Sequence, residues 1–224
     1  MKTAPLPPNE AERLKSLEEH RLLDTLPEEV YDDITRIASE ICGTPIALLT
    51  LLDEKRQWFK SKHNFEPQET SRELSFCAHA ILNPNEALVV PDARYDERFH
   101  DNPLTTGDSQ VVFYAGIPVK DEQGRPLGSL CVIDNRPREL SDQKLDSLKA
   151  LAKLVNAHFE LRKLKWEQER QQQLLQQGHQ LSTVIWNEAQ QLRQVKDSQG
   201  PANSFVNLQQ AAENLKRLFD ASQP

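Results

Sequence analysis

The sequence predicts an α+β fold, a sheet with helices on one face and a cleft or lid on the other. Three observations predict it. Val111 to Asp134, VVFYAGIPVKDEQGRPLGSLCVID, reads as two apolar strands joined by the polar turn Lys120 to Arg125, with a glycine at Gly124. Both strands are apolar on nearly every residue, so both faces must be covered. Two amphipathic helical stretches precede this hairpin and one very long helical stretch follows it.

Asn9 to Leu23 reads as a helix, with Asn9 as cap, Glu12 completing a capping box, and Leu14, Leu17 and Leu22 as a narrow apolar stripe. Asp24 to Pro27 breaks it. Glu28 to Ile41 follows as a second helix, with Val30, Ile34, Ile37, Ala38 and Ile41 on one face. Gly43 ends it. Pro45 to Leu52 is an unbroken apolar run and reads as a central strand. Asp53 to Lys55 makes a turn, and Arg56 to His63 alternates as the next strand. Alternation places Trp58, Lys60 and Lys62 on one face and Phe59 and Ser61 on the other. Glu73 to Leu82 reads as a short helix and Ala87 to Pro91 as a short strand. Asp92 to Ser109 is a polar connection of about 18 residues, a length that is commonly functional.

Ser141 and Asp142 suit the start of a helix. Leu145, Leu148, Ala152, Val155 and Phe159 follow a three-four spacing, continued more weakly through Trp166, Leu174, Leu181, Ile185, Leu192 and Val195. A continuous helix here spans about 55 residues, about 80 Å. It must project beyond the domain, and its apolar seam predicts a coiled-coil dimer. Arg162, Glu169 and Gln173 weaken the middle of that seam. Asp197 to Ser204 breaks the helix, and Phe205 to Phe219 reads as a final amphipathic helix with Leu208, Ala212, Leu215 and Phe219 on one side.

Composition narrows the function classes. The chain has 224 residues, a net charge of −7 and a pI of about 5.4. An acidic balance argues against nucleic acid and against an anionic membrane surface as partners. No apolar run is long enough for a transmembrane helix, and MKTAPLPPNE lacks the apolar core of a signal peptide. The expectation is a cytoplasmic protein. Cys42, Cys77 and Cys131 are widely spaced in apolar contexts, which predicts reduced, mostly buried thiols.

Several segments, in order, resemble the GAF domain. Within it they resemble the subgroup found at the front of bacterial sensor histidine kinases and cyclic-nucleotide signalling proteins. Leu23, Asp24, Thr25, Pro27, Glu28 and Asp32 match that subgroup's LDT-PE-hD pattern. RQWFKS after Asp53, ETSRELSFCAHAI, DARYDERFHDNPLTTG, FYAG-P at Phe113 to Pro118, and LGSLCVID at Leu127 to Asp134 supply the rest. The resemblance covers about residues 9 to 162. It implies a central antiparallel sheet with the N-terminal and C-terminal helices on one face. Two connections then wall a pocket on the other face. The implied organisation is an N-terminal tail (1–8), a GAF domain (9–162), a projecting coiled-coil helix (163–196), and a break with a short helix (197–224). One departure stands out: Val112 precedes FYAG where the subgroup often has an arginine, so an anion-coordinating role is lost there.

A pocket of this kind implies noncovalent binding of a small molecule. Arg72, His79, Asp92, Arg98 and Asn102 are the candidate polar anchors, and Trp58, Phe76, Phe99, Phe113 and Tyr114 the candidate walls. Cys77 and Cys131 can face the same cavity. Gly116 and Gly128 mark either packing clearance or a ligand's close approach. A structural reading competes at the loop: Arg98 with Asp92 or Asp101 pins it, and Phe99 plugs the cavity. Spacings for zinc or calcium are missing. Ala78 separates Cys77 from His79, unlike the adjacent pair that usually attaches a bilin. His158 and His179 lack the neighbours of a phosphorylated helix histidine. The sequence names no cofactor. It implies a sensory module, non-enzymatic unless it is the front of a larger histidine kinase or cyclase, that binds an unidentified small molecule, pairs as a homodimer through its N- and C-terminal helices, and acts on an output protein or domain. The alternatives are a docking scaffold with a vestigial pocket and, more distantly, a thiol-based redox enzyme such as a methionine-sulfoxide reductase.

Overall fold

The computed structural model describes residues 1–194 together with Gln210, Ala212 to Asn214 and Arg217, with side chains described up to residue 187 and at those later positions. The expected break at Asp197 to Ser204 and most of the expected helix Phe205 to Phe219 lie outside the described residues. The chain divides into two units between Lys163 and Leu164.

In the first unit, α1 (Glu10–Glu19) and α2 (Glu29–Cys42) precede β1 (Ile46–Leu52), β2 (Arg56–His63) and the short β3 (Glu69–Ser71). Next come α3 (Phe76–Ala80), β4 (Leu88–Val90) and α4 (Pro103–Thr106), then the hairpin β5 (Phe113–Lys120) and β6 (Pro126–Asp134). The long helix α5 (Asp142–Gln194) follows. The strands form one sheet in the order β3-β2-β1-β6-β5-β4, and every neighbouring pair is antiparallel.

Local chemistry accounts for most boundaries. Gly43 takes φ 67° and closes α2 as a left-handed cap. Gly124 takes φ 80° in the hairpin turn, where Asp121 accepts hydrogen bonds from the Arg125 backbone and guanidinium. Ser75 and Asn102 cap α3 and α4 by accepting from the Ala78 and Leu104 amides. Three expectations need correction. α1 ends at Glu19, because Arg21 and Asp24 adopt positive φ and turn the chain early. Asn9 makes no side-chain cap, so the expected box with Glu12 does not form. The helix expected over Glu73 to Leu82 is one turn of 3-10 helix at Arg72–Leu74 and then the five-residue α3.

Each face of the sheet carries its own apolar core. One core joins Leu49, Leu51, Trp58, Phe113, Ala115, Leu130 and Val132 of the sheet to Leu17 of α1, Tyr31, Ile34 and Ala38 of α2, and Leu148, Ala152, Val155 and Phe159 of α5. The other gathers Leu48, Phe59, Tyr114, Cys131 and Ile133 under Phe76, Cys77, Val90 and Phe99. This is why β5 and β6 are buried along almost their whole length. β2 breaks its alternation at a bulge, where the pairing with β1 shifts between Leu49 and Thr50. Lys60 and Ser61 therefore both reach the helix layer. Lys60 donates to Thr25 and to the Leu26 carbonyl and pairs with Glu28, while Ser61 donates to Asp32 of α2. A bulge sets two successive residues against one partner and re-aims the strand.

Candidate functional site

The site builds up from the alternation of β5 and β6. Tyr114 and Cys131 point away from the helix layer, while their neighbours Phe113 and Val132 point into it. The α3 cap at Ser75 sets Phe76 and Cys77 above these strands. The four side chains Phe76, Cys77, Tyr114 and Cys131 line one cavity, together with Leu48, Gln57, Phe59, Phe65, Thr70, Leu104, Ser109, Val111 and Ile133. Its volume is about 30 Å³. One water needs about 10–15 Å³ of such space, whereas an organic-ligand pocket runs to about 300 Å³ or more.

Two sulfurs meet at the cavity wall. Cys77 Sγ lies 3.9 Å from Cys131 Sγ, and the Tyr114 hydroxyl donates to Cys77 Sγ at 3.2 Å. The same hydroxyl is 3.4 Å from Ser129 Oγ, which is 3.5 Å from Thr50 Oγ1. All three cysteines are free thiols, and Cys42 is buried in the helix-side core. Burial pushes the Cys77 thiol up, but hydrogen bonds from Cys131, Ser129, Thr50 and Tyr114 more than offset it and hold it below the ordinary thiol value. The Cys131 thiol is pushed up, because it shares its hydrogen with Cys77 and is buried. The two thus behave as one pair that loses its first proton easily and its second with difficulty. Gln57, Thr70 and Ser109 add further polar groups to the lining. Gln57 accepts from Ser75, and the buried Thr70 hydroxyl has no protein partner.

The connection 92–110 closes the cavity from above. Asp92 pairs with Arg94 and Asp96 with Arg98, both at 2.6 Å, so each carboxylate is satisfied two residues along its own loop. The Arg98 guanidinium holds the Asp96 carboxyl below its ordinary value and lies 5.0 Å from the Phe99 ring centre. Phe99 is fully buried and stacks on Phe76 with centroids 3.9 Å apart and planes 11° apart. The His79 ring meets Phe99 edge-on at 4.9 Å and donates from Nε2 to the Lys2 carbonyl. Burial lowers the His79 pKa, which favours the neutral ring.

The candidate residues therefore separate. Phe76, Cys77, Tyr114 and Cys131 are brought together, and Phe99 with His79 forms the layer behind Phe76. Trp58 and Phe113 belong to the opposite core, since the alternation of β2 and β5 turns them toward the helices. Arg72 donates to Glu10 at 2.6 Å and to the Asp53 carbonyl at 2.9 Å, which ties the 3-10 turn after β3 to α1 and to the β1–β2 turn. Asp92 and Arg98 are consumed within the loop, with Asp96 rather than Asp92 or Asp101 as the Arg98 partner. Asn102 caps α4 and donates to the Leu74 carbonyl. Gly116 and Gly128 both serve packing. The Tyr114 ring lies across Gly116, and the Thr50 carbonyl of β1 presses on Gly128. The sequence does not mark Gln57, Thr70 and Ser129 as site residues, because alternation gives a strand residue its face but not what that face meets. Among the described residues no group of three His, Cys, Asp or Glu side chains could hold a metal ion, and no helix is long and apolar enough to cross a membrane.

Comparison with known proteins gives this arrangement its family. The GAF domain model matches residues 26–159. The chain belongs to the GAF domain family. It is 40% identical over 160 residues to a cyclic di-GMP phosphodiesterase of Pseudomonas aeruginosa, a match that covers 71% of this chain and 27% of the relative. The GAF domain of an Acinetobacter phosphoenolpyruvate-protein phosphotransferase superposes with a TM-score of 0.50 at 16% identity, covering 70% of this chain and 96% of that one. The blue-light-absorbing form of the Thermosynechococcus elongatus PixJ GAF domain gives 0.51 at 12% identity, covering 70% and 93%. At these identities the two structures establish the fold alone. The GAF assignment makes the chain a sensory domain of signalling proteins. The expectation of a non-enzymatic chain is corrected by the Pseudomonas relative, which is a cyclic di-GMP phosphodiesterase, and the match covers only the GAF region of it.

Proposed function

We propose that this chain is the sensory module of a cyclic di-GMP signalling protein, in which occupancy or chemistry at the Cys77–Tyr114–Cys131 cavity sets the state of a paired α5. The carrying observation is the alternation in β6. Cys131 lines the cavity while Val132, the next residue, lies in the core that Val155 and Phe159 of α5 complete. A shift of this strand is felt on both faces, because packed cores repack between discrete arrangements rather than stretch. The likeness to the Pseudomonas phosphodiesterase supports cyclic di-GMP turnover as the output, though the chain spans only 27% of that protein.

Pairing through α5 is part of the same reading. Leu148, Ala152, Val155 and Phe159 are buried in the chain's own core and are not free for a partner. Leu154 and Leu161, seven residues apart on α5, are 52% and 61% exposed and supply the apolar face instead. A second reading, a docking scaffold with a closed pocket, draws on the small cavity volume and the Phe99 plug. Native mass spectrometry of the purified chain tests the first. A dimer, with any retained ligand seen as added mass, supports it. A monomer throughout the micromolar range would sink the relay through paired helices.

A further inference from the structure

We infer that Cys77 and Cys131 form a reversible disulfide inside the GAF cavity, with a small hydroperoxide as the oxidant. This deepens the sensory reading by naming the chemical class that reaches the cavity. Its consequence for signalling rests on that reading, while the thiol chemistry stands without it.

Four observations converge. The sulfurs are 3.9 Å apart, and a disulfide needs about 2.05 Å, so closure requires a shift of about 2 Å shared between α3 and β6. Both sulfurs line the same cavity, whose 30 Å³ admits one or two water-sized molecules and no metabolite. Hydrogen peroxide, two bonded oxygens, is of that size. The lining is not wholly apolar either. The Thr70 hydroxyl is buried without a protein partner, and a buried polar group of this kind suits an occupant that hydrogen-bonds. Finally, Tyr114 donates to Cys77 Sγ, which favours the thiolate form that reacts.

The steps balance. The Cys77 thiolate attacks one peroxide oxygen, an S–O bond forms, the O–O bond breaks, and the leaving hydroxide takes a proton to become water. Sulfur is oxidised to the sulfenic acid and the peroxide is reduced. Cys131 Sγ then attacks Cys77 Sγ. The S–S bond forms, the S–O bond breaks, and the departing hydroxide leaves as water with the Cys131 proton. Two thiols and one hydrogen peroxide give one disulfide and two waters. Proximity of the second thiol traps the sulfenic acid before further oxidation. The closure also has a reach beyond the sulfurs. Cys77 follows Phe76, and Phe76 is the ring on which Phe99 and so the 92–110 loop rests. Drawing α3 toward β6 disturbs that stack.

The test uses the full chain, native, with hydrogen peroxide as probe. Free thiols are counted after denaturation, and peptides are mapped with and without dithiothreitol. The expected result is a loss of two thiols and a Cys77–Cys131 peptide that dithiothreitol releases, with Cys42 still free. Tyr114→Phe keeps the ring and removes the donor, and should slow the reaction about tenfold, the scale of one hydrogen bond to a charged group. Cys42→Ser should leave the rate unchanged. Three free thiols after native exposure, or a disulfide that always includes Cys42, overturns the inference. Hydrogen exchange of residues 92–110 in the oxidised chain is the separate readout for signalling. Exchange that does not change on disulfide formation defeats the sensory reading and leaves the thiol chemistry standing.

Discussion

The hydroxyl of Tyr114 lies over the Cα of Gly116, in the space that a side chain at Gly116 would need. The two residues share one face of β5, two positions apart, and the missing Cβ lets the ring lie flat along the strand. That posture carries the hydroxyl to Cys77 and Ser129. Gly116→Ala forces the ring off this path and is expected to cost about 1–3 kcal/mol, the usual range for overpacking a filled core. In a Tyr114→Ala background the same methyl meets no ring, so most of the cost should vanish. Urea unfolding of the four proteins gives the coupling directly. Additive effects would show that Gly116 is required for another reason. Gly128→Ala is the contrast, because its methyl would strike the Thr50 carbonyl of β1. No side-chain truncation relieves a backbone clash.

Glu10 joins two arginines. It pairs with the fully buried Arg13 through two bonds of 2.8 Å and with Arg72 at 2.6 Å. Burial raises the carboxyl pKa, but the two guanidinium groups outweigh it and the net shift is downward from 4.5. A carboxylate lowered in the native state binds its proton more weakly there than in the unfolded chain. Its stabilisation is therefore complete above about pH 4.5 and is lost as pH falls through the lower native value. Glu10→Gln should cost about 3 kcal/mol near neutral pH, because it leaves Arg13 buried with carbonyl partners alone. The gap from wild type should close in acid. Unfolding midpoints measured from pH 7 down to pH 3 check this, and a gap that stays constant with pH would remove Glu10 ionisation as the cause.

How much of this was legible follows from which signals are periodic. β2 runs over Arg56–His63 and α2 stops at Gly43 as the patterns require, because strand alternation, helix stripes and a capping glycine are local. The hairpin announces its two covered faces in the same way. The bulge in β2 leaves no mark in the sequence, so strict alternation places Ser61 on the face opposite the one it takes. The polar anchors failed for a different reason. Charge in a long loop says that a side chain needs a partner, not where the partner is. Asp92 with Arg94, and Asp96 with Arg98, repeat one acid–x–arginine spacing, and that repeat was the available sign of a loop that satisfies itself. Arg13 gave no sign at all. A cation on a polar-looking helix reads as exposed until the carbonyls of Leu52 and Pro126 close over it.

Phe99 is the plug of the cavity layer. Its ring stacks on Phe76 and is met by His79, with Arg98 held beside it. Phe99→Ala removes a fully buried aromatic and should cost about 3–5 kcal/mol. The void it leaves is apolar, and apolar voids of this size stay dry and accept small aromatic molecules. Benzene should therefore raise the melting temperature of Phe99→Ala and leave the wild-type protein unmoved. An equal shift in both would mean that Phe99 is not what closes the space above Phe76.

The last prediction concerns the outer face of α5. Leu154, Leu161 and Leu175 fall on one heptad position and are all exposed, while Leu164 is exposed at the companion position. Gln168 interrupts the series, so a dimer seam on this face would be weakest there. The inner face is spent on Leu148, Val155 and Phe159, and a change on the outer face therefore leaves the GAF core intact. Leu161→Glu should convert a dimer to a monomer, because two carboxylates would replace two apolar side chains across such a seam. The same change should alter the unfolding free energy of the isolated monomer by no more than about 0.5 kcal/mol, as surface substitutions do. Sedimentation equilibrium gives the mass and urea unfolding at low concentration gives the stability. A variant that remains dimeric would move the interface away from this face of α5.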